Sequence, residues 1–203
     1  MERKIYKAQI NPDPNSELEV NFIGLVDRPA IERNFLAFSE AKEKLRFSIN
    51  EEKRIISGPA MIADLPIYRN DETHGEYYVV FGAEEIAAIV QKFNAKGYLK
   101  NFNLFHDENQ QVSDVTIINS FITDTAMGIC PPKGFEDVSD GSWFISAKVN
   151  NDAVWEKVKA GEIKGFSVEG MFQYTQVASV KMSKAEALKK IEAILNETDF
   201  EEQ

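Results

Sequence analysis

The chain has 203 residues, 43% of them hydrophobic and 28% charged, a globular composition that excludes wholesale disorder and suits one domain with or without an appendage. Lys and Arg number 23 against 33 Asp and Glu, for a net charge of −10, and the scattered basic residues argue against a nucleic-acid partner, which would need clustered contacts to phosphate. The single cysteine, Cys130, excludes an internal disulfide. No apolar run is long enough to cross a bilayer, and Met1-Glu2-Arg3-Lys4 does not lead into a signal core, so neither a membrane nor export is expected.

From the N-terminus, Lys4–Ile10 and Glu17–Ile23 both alternate apolar and polar residues across a turn-rich link, Asn11-Pro12-Asp13-Pro14-Asn15, and predict a paired entry to a sheet. Gly24 to Ala30 reads as an ordered loop, with Pro29 biasing Arg28 away from helix. The charged stretch from Ser39 to Glu52 reads as an exposed connection. Arg54–Ile62 is β-like up to Pro59, and a polar turn from Arg69 to Gly75, which holds a solvated His74, precedes a strand at Tyr77–Phe81. Ala83–Lys96 is the clearest helix: Ile86, Ile89, Val90 and Phe93 share one face, Glu84 and Glu85 sit at the positive end, and Gly97 can cap the other. Strands follow at Asn101–His106, Val112–Ile122 and Ser142–Val149, with Trp143 and Trp155 as core residues. A short helix opened by Asn151 or Asp152 buries Val154, Trp155 and Val158 and stops at Gly161. Ile163–Tyr174 is the last strand. Ser183-Lys184-Ala185-Glu186 has capping-box spacing and opens an amphipathic helix to Asn196, beyond which the chain is acidic. The class is α+β, with strands dominant. The division is a domain over residues 1–176 and an appended helix with its tail over 177–203.

Two strand positions carry polar groups in apolar rows. His106 ends the row Phe102, Leu104, His106, and Asn119 interrupts Val115, Ile117, Asn119, Phe121, since alternate strand residues share a face. Each, taken alone, is most simply a core group whose hydrogen bonds are satisfied. A third position changes the balance. In Gly165-Phe166-Ser167-Val168-Glu169-Gly170, Ser167 and Glu169 share the face opposite Phe166 and Val168. The flanking glycines would let another backbone approach, as a peptide substrate laid beside a nucleophile requires.

The ordered set Val26-Asp27-Arg28-Pro29-Ala30, Ile56-Ser57-Gly58-Pro59-Ala60, Asn103-Leu104-Phe105-His106-Asp107, Val154-Trp155-Glu156-Lys157-Val158 and Gly165-Phe166-Ser167-Val168-Glu169-Gly170 resembles the phage prohead (capsid-maturation) serine proteases, in their XkdF-like branch. The resemblance runs over about residues 20–176. It implies a fold related to the herpesvirus assembly protease, mainly an antiparallel β-barrel-like core with peripheral helices. It also implies a serine endopeptidase that cuts scaffold protein and major capsid protein precursors inside the procapsid, in the host cytoplasm, with self-cleavage or self-association as further expectations.

By the same resemblance His106 falls where the family places its catalytic histidine, and Ser167 where it places the nucleophile. Serine is weakly nucleophilic, so His106 would take its proton during attack and return it to the leaving amine. Relatives tend to carry an acid in the strand after the histidine; here Ile118-Asn119-Ser120 stands there, which makes Asn119 the first candidate to orient the imidazole. Glu169 is its rival, with Asp107 and Asp124 behind. Backbone amides near Gly165–Ser167 are the candidate oxyanion donors. Cys130, before Pro131-Pro132, reads as a bland thiol. Two histidines and one cysteine far apart offer no metal-ligand spacing, so no metal or cofactor is expected. The alternative function is a non-catalytic capsid-assembly protein that keeps the protease fold.

Overall fold

The computed structural model describes residues 2–27, 48–51, 53–71 and 75–181. Their order is β1 (Glu2–Gln9), β2 (Val20–Val26), β3 (Ser48–Asn50), β4 (Ile55–Met61), β5 (Ile67–Asp71), β6 (Gly75–Val80), α1 (Ala83–Ala95), β7 (Phe102–Leu104), β8 (Asp107–Val112), β9 (Val115–Ile122), β10 (Trp143–Val149), α2 (Asp152–Lys159), β11 (Gly165–Gly170) and β12 (Gln173–Lys181). The strands form three four-stranded sheets, ordered β12-β1-β6-β5, β3-β4-β10-β9 and β11-β2-β7-β8. Pairing is antiparallel except for β1 with β6 and β2 with β7. Strands dominate and two helices are interspersed, as an α+β class requires, but the described sheets do not close into the expected barrel. The tail helix at Ser183–Asn196 and the turn residue His74 lie outside the described residues, and β12 continues to Lys181, past the domain boundary placed at residue 176.

Several elements differ from the pattern-based reading. β1 and β2 alternate alike but do not pair: β1 joins β12 and β6, and β2 joins β11 and β7. β4 runs through Pro59, which faces the bulge between Trp143 and Phe144, and β3 reaches only as far as Ser57 on its other side. The missing N–H of proline therefore interrupts no ladder. The expected final strand breaks at Met171-Phe172 into β11 and β12, which belong to different sheets.

The helices follow their sequence signals. On α1, Ile86, Ile89, Val90 and Phe93 are buried, and Gly97 at φ +73 turns the chain out, its N–H bonding to Asn94 O. On α2 the Asn151 side chain accepts from Val154 N at 3.0 Å. Both helices pack on one core around Trp143, which is fully buried. Its ring meets Phe93 edge-on at 5.2 Å and its indole N–H donates to Ser120 Oγ, so burial leaves no orphaned donor.

Beside this core lies a polar knot. Lys92 of α1 is buried, and its ammonium donates to the carbonyls of Asn11, Asp13, Ser16 and Leu18 at 2.8–3.2 Å. Glu19, next along that loop, accepts from Lys96 and from Tyr98 OH, and its own carbonyl accepts from Met171 N. Burial alone would raise the Glu19 pKa, but the hydrogen bonds from Lys96 and Tyr98, with the charges of Lys96 and Lys92, outweigh it and hold the carboxyl below its ordinary 4.5. A depressed pKa means that this stabilisation is present above pH 4.5 and is lost as pH falls through the lower folded value. Unfolding midpoints should therefore drop on acidification below 4.5, and Glu19→Gln should flatten that part of the profile; an unchanged acid limb in the variant would refute the assignment.

Candidate active site

The residues singled out around Ser167 meet on the third sheet. β11 is its edge strand and pairs with β2 so that Ser167 faces Gly24; β2 pairs with β7 so that Gly24 faces Asn103. Directly opposed residues on neighbouring strands project to the same side. Ser167, Gly24 and Asn103 thus form one row across three strands, and Glu169, two residues along β11, shares their face.

His106 reaches this row from a turn and not from the end of a strand. β7 stops at Leu104, which pairs with Asp107, the first residue of β8, leaving Phe105-His106 as a two-residue hairpin loop. Both loop residues have positive φ, 55° and 61°, as a type I′ turn demands. Histidine is among the residues found there more often than most, but the bulky Phe105 is not, so local strain is held at that position. The Phe105 N–H donates to Leu25 O at 3.1 Å and ties the turn to β2. Phe105→Asn should relieve part of the strain and raise stability by up to ~1 kcal/mol, about 2–4 °C in Tm for a domain of this size. A lower melting temperature would show that the Phe105 ring contributes more than its backbone costs.

The imidazole meets a carboxylate. His106 Nδ1 lies 3.1 Å from Glu169 Oε2, and Asn103 Nδ2 donates to the same oxygen at 2.6 Å. A carboxylate that takes two hydrogen bonds at one oxygen acts as acceptor, so Nδ1 is the donor in this contact, an arrangement that in the neutral imidazole leaves Nε2 with its lone pair. Ser167 is 6% exposed, and the side chains of His106 and Glu169 are 39% and 26% exposed. All three line a cleft of about 410 Å³, with Arg69, Phe105 and Tyr174 on its walls. Among the described residues no hydrogen bond joins Ser167 Oγ to the imidazole. Such bonds are commonly loose before substrate arrives.

The other candidates lie elsewhere. Asn119 is exposed on β9, paired with Ser146 in the second sheet, and is absent from the cleft; the imidazole nitrogen it was expected to orient faces Glu169 instead. Asp107 turns away from the imidazole to Asn109 and Gln110, whose hydrogen bonds, Gln110 first, lower its pKa. Asp124 accepts from Met127 N in a distant turn. Cys130 is an exposed free thiol. Gly170, expected to admit a substrate backbone, instead admits the chain's own: a Cβ there would lie 2.0 Å from Glu19 O.

Two site residues were missed. Asn103 lies inside one of the motifs but reads as an ordinary strand residue, although it is 1% exposed and its buried Oδ1 has no partner among the described residues. Gly24 looked like part of a loop. The signal available for both was the strand alternation of Val20–Val26 and Phe102–Leu104, which fixes the faces once the strands are known to pair.

The family model described as "Putative phage serine protease XkdF" matches residues 46–176. Protein XkdF of the phage-like element PBSX of Bacillus subtilis (strain 168) is 25% identical over 160 residues, covering 75% of this chain and 52% of that protein. The chain thus spans about half the length of this relative. No solved structure matches.

Proposed function

This chain belongs to the XkdF family, and on that premise we propose that it is a serine endopeptidase with Ser167 as nucleophile, His106 as base and Glu169 as the acid that orients it. One observation carries the reading: the Nδ1 of His106 faces a carboxylate on the same sheet face, and in the same cleft, as a nearly buried serine hydroxyl. In the cycle, Nε2 of His106 accepts the Ser167 proton as Oγ attacks the scissile carbonyl. Glu169 stabilises the resulting imidazolium through the Nδ1 hydrogen bond, and the proton passes to the leaving amine as the acyl-enzyme forms. Water then enters by the same route in reverse and releases the acid product.

The substrate reading follows from the resemblance. Scaffold and major capsid protein precursors are cut within the procapsid. β11 stands at a sheet edge, where an extended peptide can align beside Ser167. The fold kinship to the herpesvirus assembly protease belongs to the same proposal; a strand-rich molecule with peripheral helices is compatible with it, and open sheets count against it. The second reading, a non-catalytic assembly protein, is favoured by the lack of a hydrogen bond between Ser167 and His106 among the described residues. Co-expression with the neighbouring scaffold and capsid proteins separates the two. Processing should occur with the intact chain and cease with Ser167→Ala. Processing that persists in the variant would remove Ser167 from the mechanism, and none in either would favour the assembly role.

A further inference from the structure

The three-strand row holds a gap where a side chain would normally stand. Gly24 is fully enclosed in β2 between Ser167 on β11 and Asn103 on β7, a setting that favours branched residues over glycine. Nothing in its backbone demands glycine: its φ is not in the left-handed region. What demands it is the ring above. A Cβ at Gly24 would stand 2.8 Å from Cε1 and 3.0 Å from Nδ1 of His106, and 3.3 Å from Oδ1 of Asn103. The first of these is closer than carbon atoms can stand without displacement.

We propose that Gly24 is a positioning residue for His106, its missing side chain being the seat in which the imidazole lies beside Ser167. The proposal rests on the triad reading and deepens it. The neighbours of the seat fit that role. Ser167 is the directly opposed residue, so a ring resting on the Gly24 Cα lies one strand spacing, about 4.8 Å, from the serine backbone. Asn103, on the other flank, fixes the Glu169 oxygen that the ring must reach. Its Oδ1, without a partner among the described residues, borders the same space, so a methyl group at position 24 would crowd the ring and the amide together. The ring would have to give way, and its open side is the cleft. A ring displaced into the cleft leaves its place beside Glu169 and Ser167, and a misplacement of about 1 Å in a reacting group can cost about 100-fold in rate.

The test is a cycle of Gly24→Ala and His106→Ala in the full chain, read in two ways. The first is thermal unfolding. Gly24→Ala should lower Tm in the presence of His106, and should lower it little in the His106→Ala background, where the new methyl occupies space the ring has left. The second is labelling of Ser167 with a fluorophosphonate probe, which Gly24→Ala should slow about 100-fold. Should Gly24→Ala alone fail to fold, the double variant should recover the folded state. An equal Tm loss in both backgrounds, a double variant that also fails to fold, or labelling of Gly24→Ala at the wild-type rate would each overturn the seat. If the wild-type chain itself does not label, the protease reading fails, and the Tm cycle still decides whether the ring and the glycine are coupled.

Discussion

Glu169→Gln should lower the rate of Ser167-dependent peptide cleavage about 10²–10⁴-fold, while Asn119→Ala should leave it within about two-fold. The magnitude follows from what the carboxylate does when charge develops. A neutral amide can present its NH₂ to Nδ1, which favours the wrong tautomer and leaves Nε2 protonated and unable to accept from serine; where such a substitution has been made in a Ser-His-Asp system the loss is about 10⁴-fold. Here Asn103 donates to the same oxygen at 2.6 Å and favours the glutamine oxygen at that point; to the extent that it does, the variant keeps the tautomer and loses only the negative charge that stabilises the imidazolium, which sets the lower end of the range. Asn119 is exposed on another sheet, and truncating it should change stability by no more than about 0.5 kcal/mol. Steady-state kinetics on a processed peptide decide the matter. The loss from Glu169→Gln should fall on kcat with little change in KM, because the interaction strengthens only as the imidazolium forms. Damage from Asn119→Ala and indifference to Glu169→Gln would reverse the assignment.

Lys92→Met should cost about 3–5 kcal/mol of stability, far more than a surface substitution. The isosteric methionine keeps the packing of the stem and removes the ammonium alone. What remains is four carbonyls, of Asn11, Asp13, Ser16 and Leu18, aimed at one point, together with a Glu19 carboxylate that loses one of its two neighbouring lysine charges. An orphaned buried acceptor costs about 1–3 kcal/mol, and water entering the loop recovers part of that. Lys92→Arg should rescue little, because a planar guanidinium cannot direct its hydrogens to four oxygens arranged around a point charge. Lys100→Met, at an exposed position, serves as the control and should stay within about 0.5 kcal/mol of wild type. Urea unfolding measures all three; a Lys92→Met loss no larger than the control would mean that the loop reorganises freely around the missing charge.

What the sequence disclosed and what it hid divide along a physical line. Signals local in the chain were legible: the apolar stripe of α1, the Asn151 cap of α2, and the strand parity that put Ser167 and Glu169 on one face. Partner choice was not. β1 and β2 alternate equally well, and only pairings with β12, β6, β11 and β7, remote in the chain, separate them into two sheets. The turn at Phe105-His106 was hidden because it lacks a glycine or asparagine signal; Phe102, Leu104 and His106 keep a period of two straight through the point where the strand ends. The motif points to Asn119 because alignment to a family follows order along the chain, whereas the neighbour of the imidazole, Glu169, is set by what stands across the sheet from it. Gly24 escaped notice because a glycine near a proline resembles a loop until the ring packed over it is seen.

The His106–Glu169 contact spans 63 positions of the chain, and the row beneath it draws on residues 24, 103 and 167. Contacts between segments this remote form late, because their loops must close before any contact compensates the lost entropy. A nascent chain, or one lacking β11, holds the imidazole with neither its acid nor its serine. On the protease reading, cutting competence would arrive only once the last of these strands had docked, a delay that would keep an unfinished molecule harmless to the proteins around it.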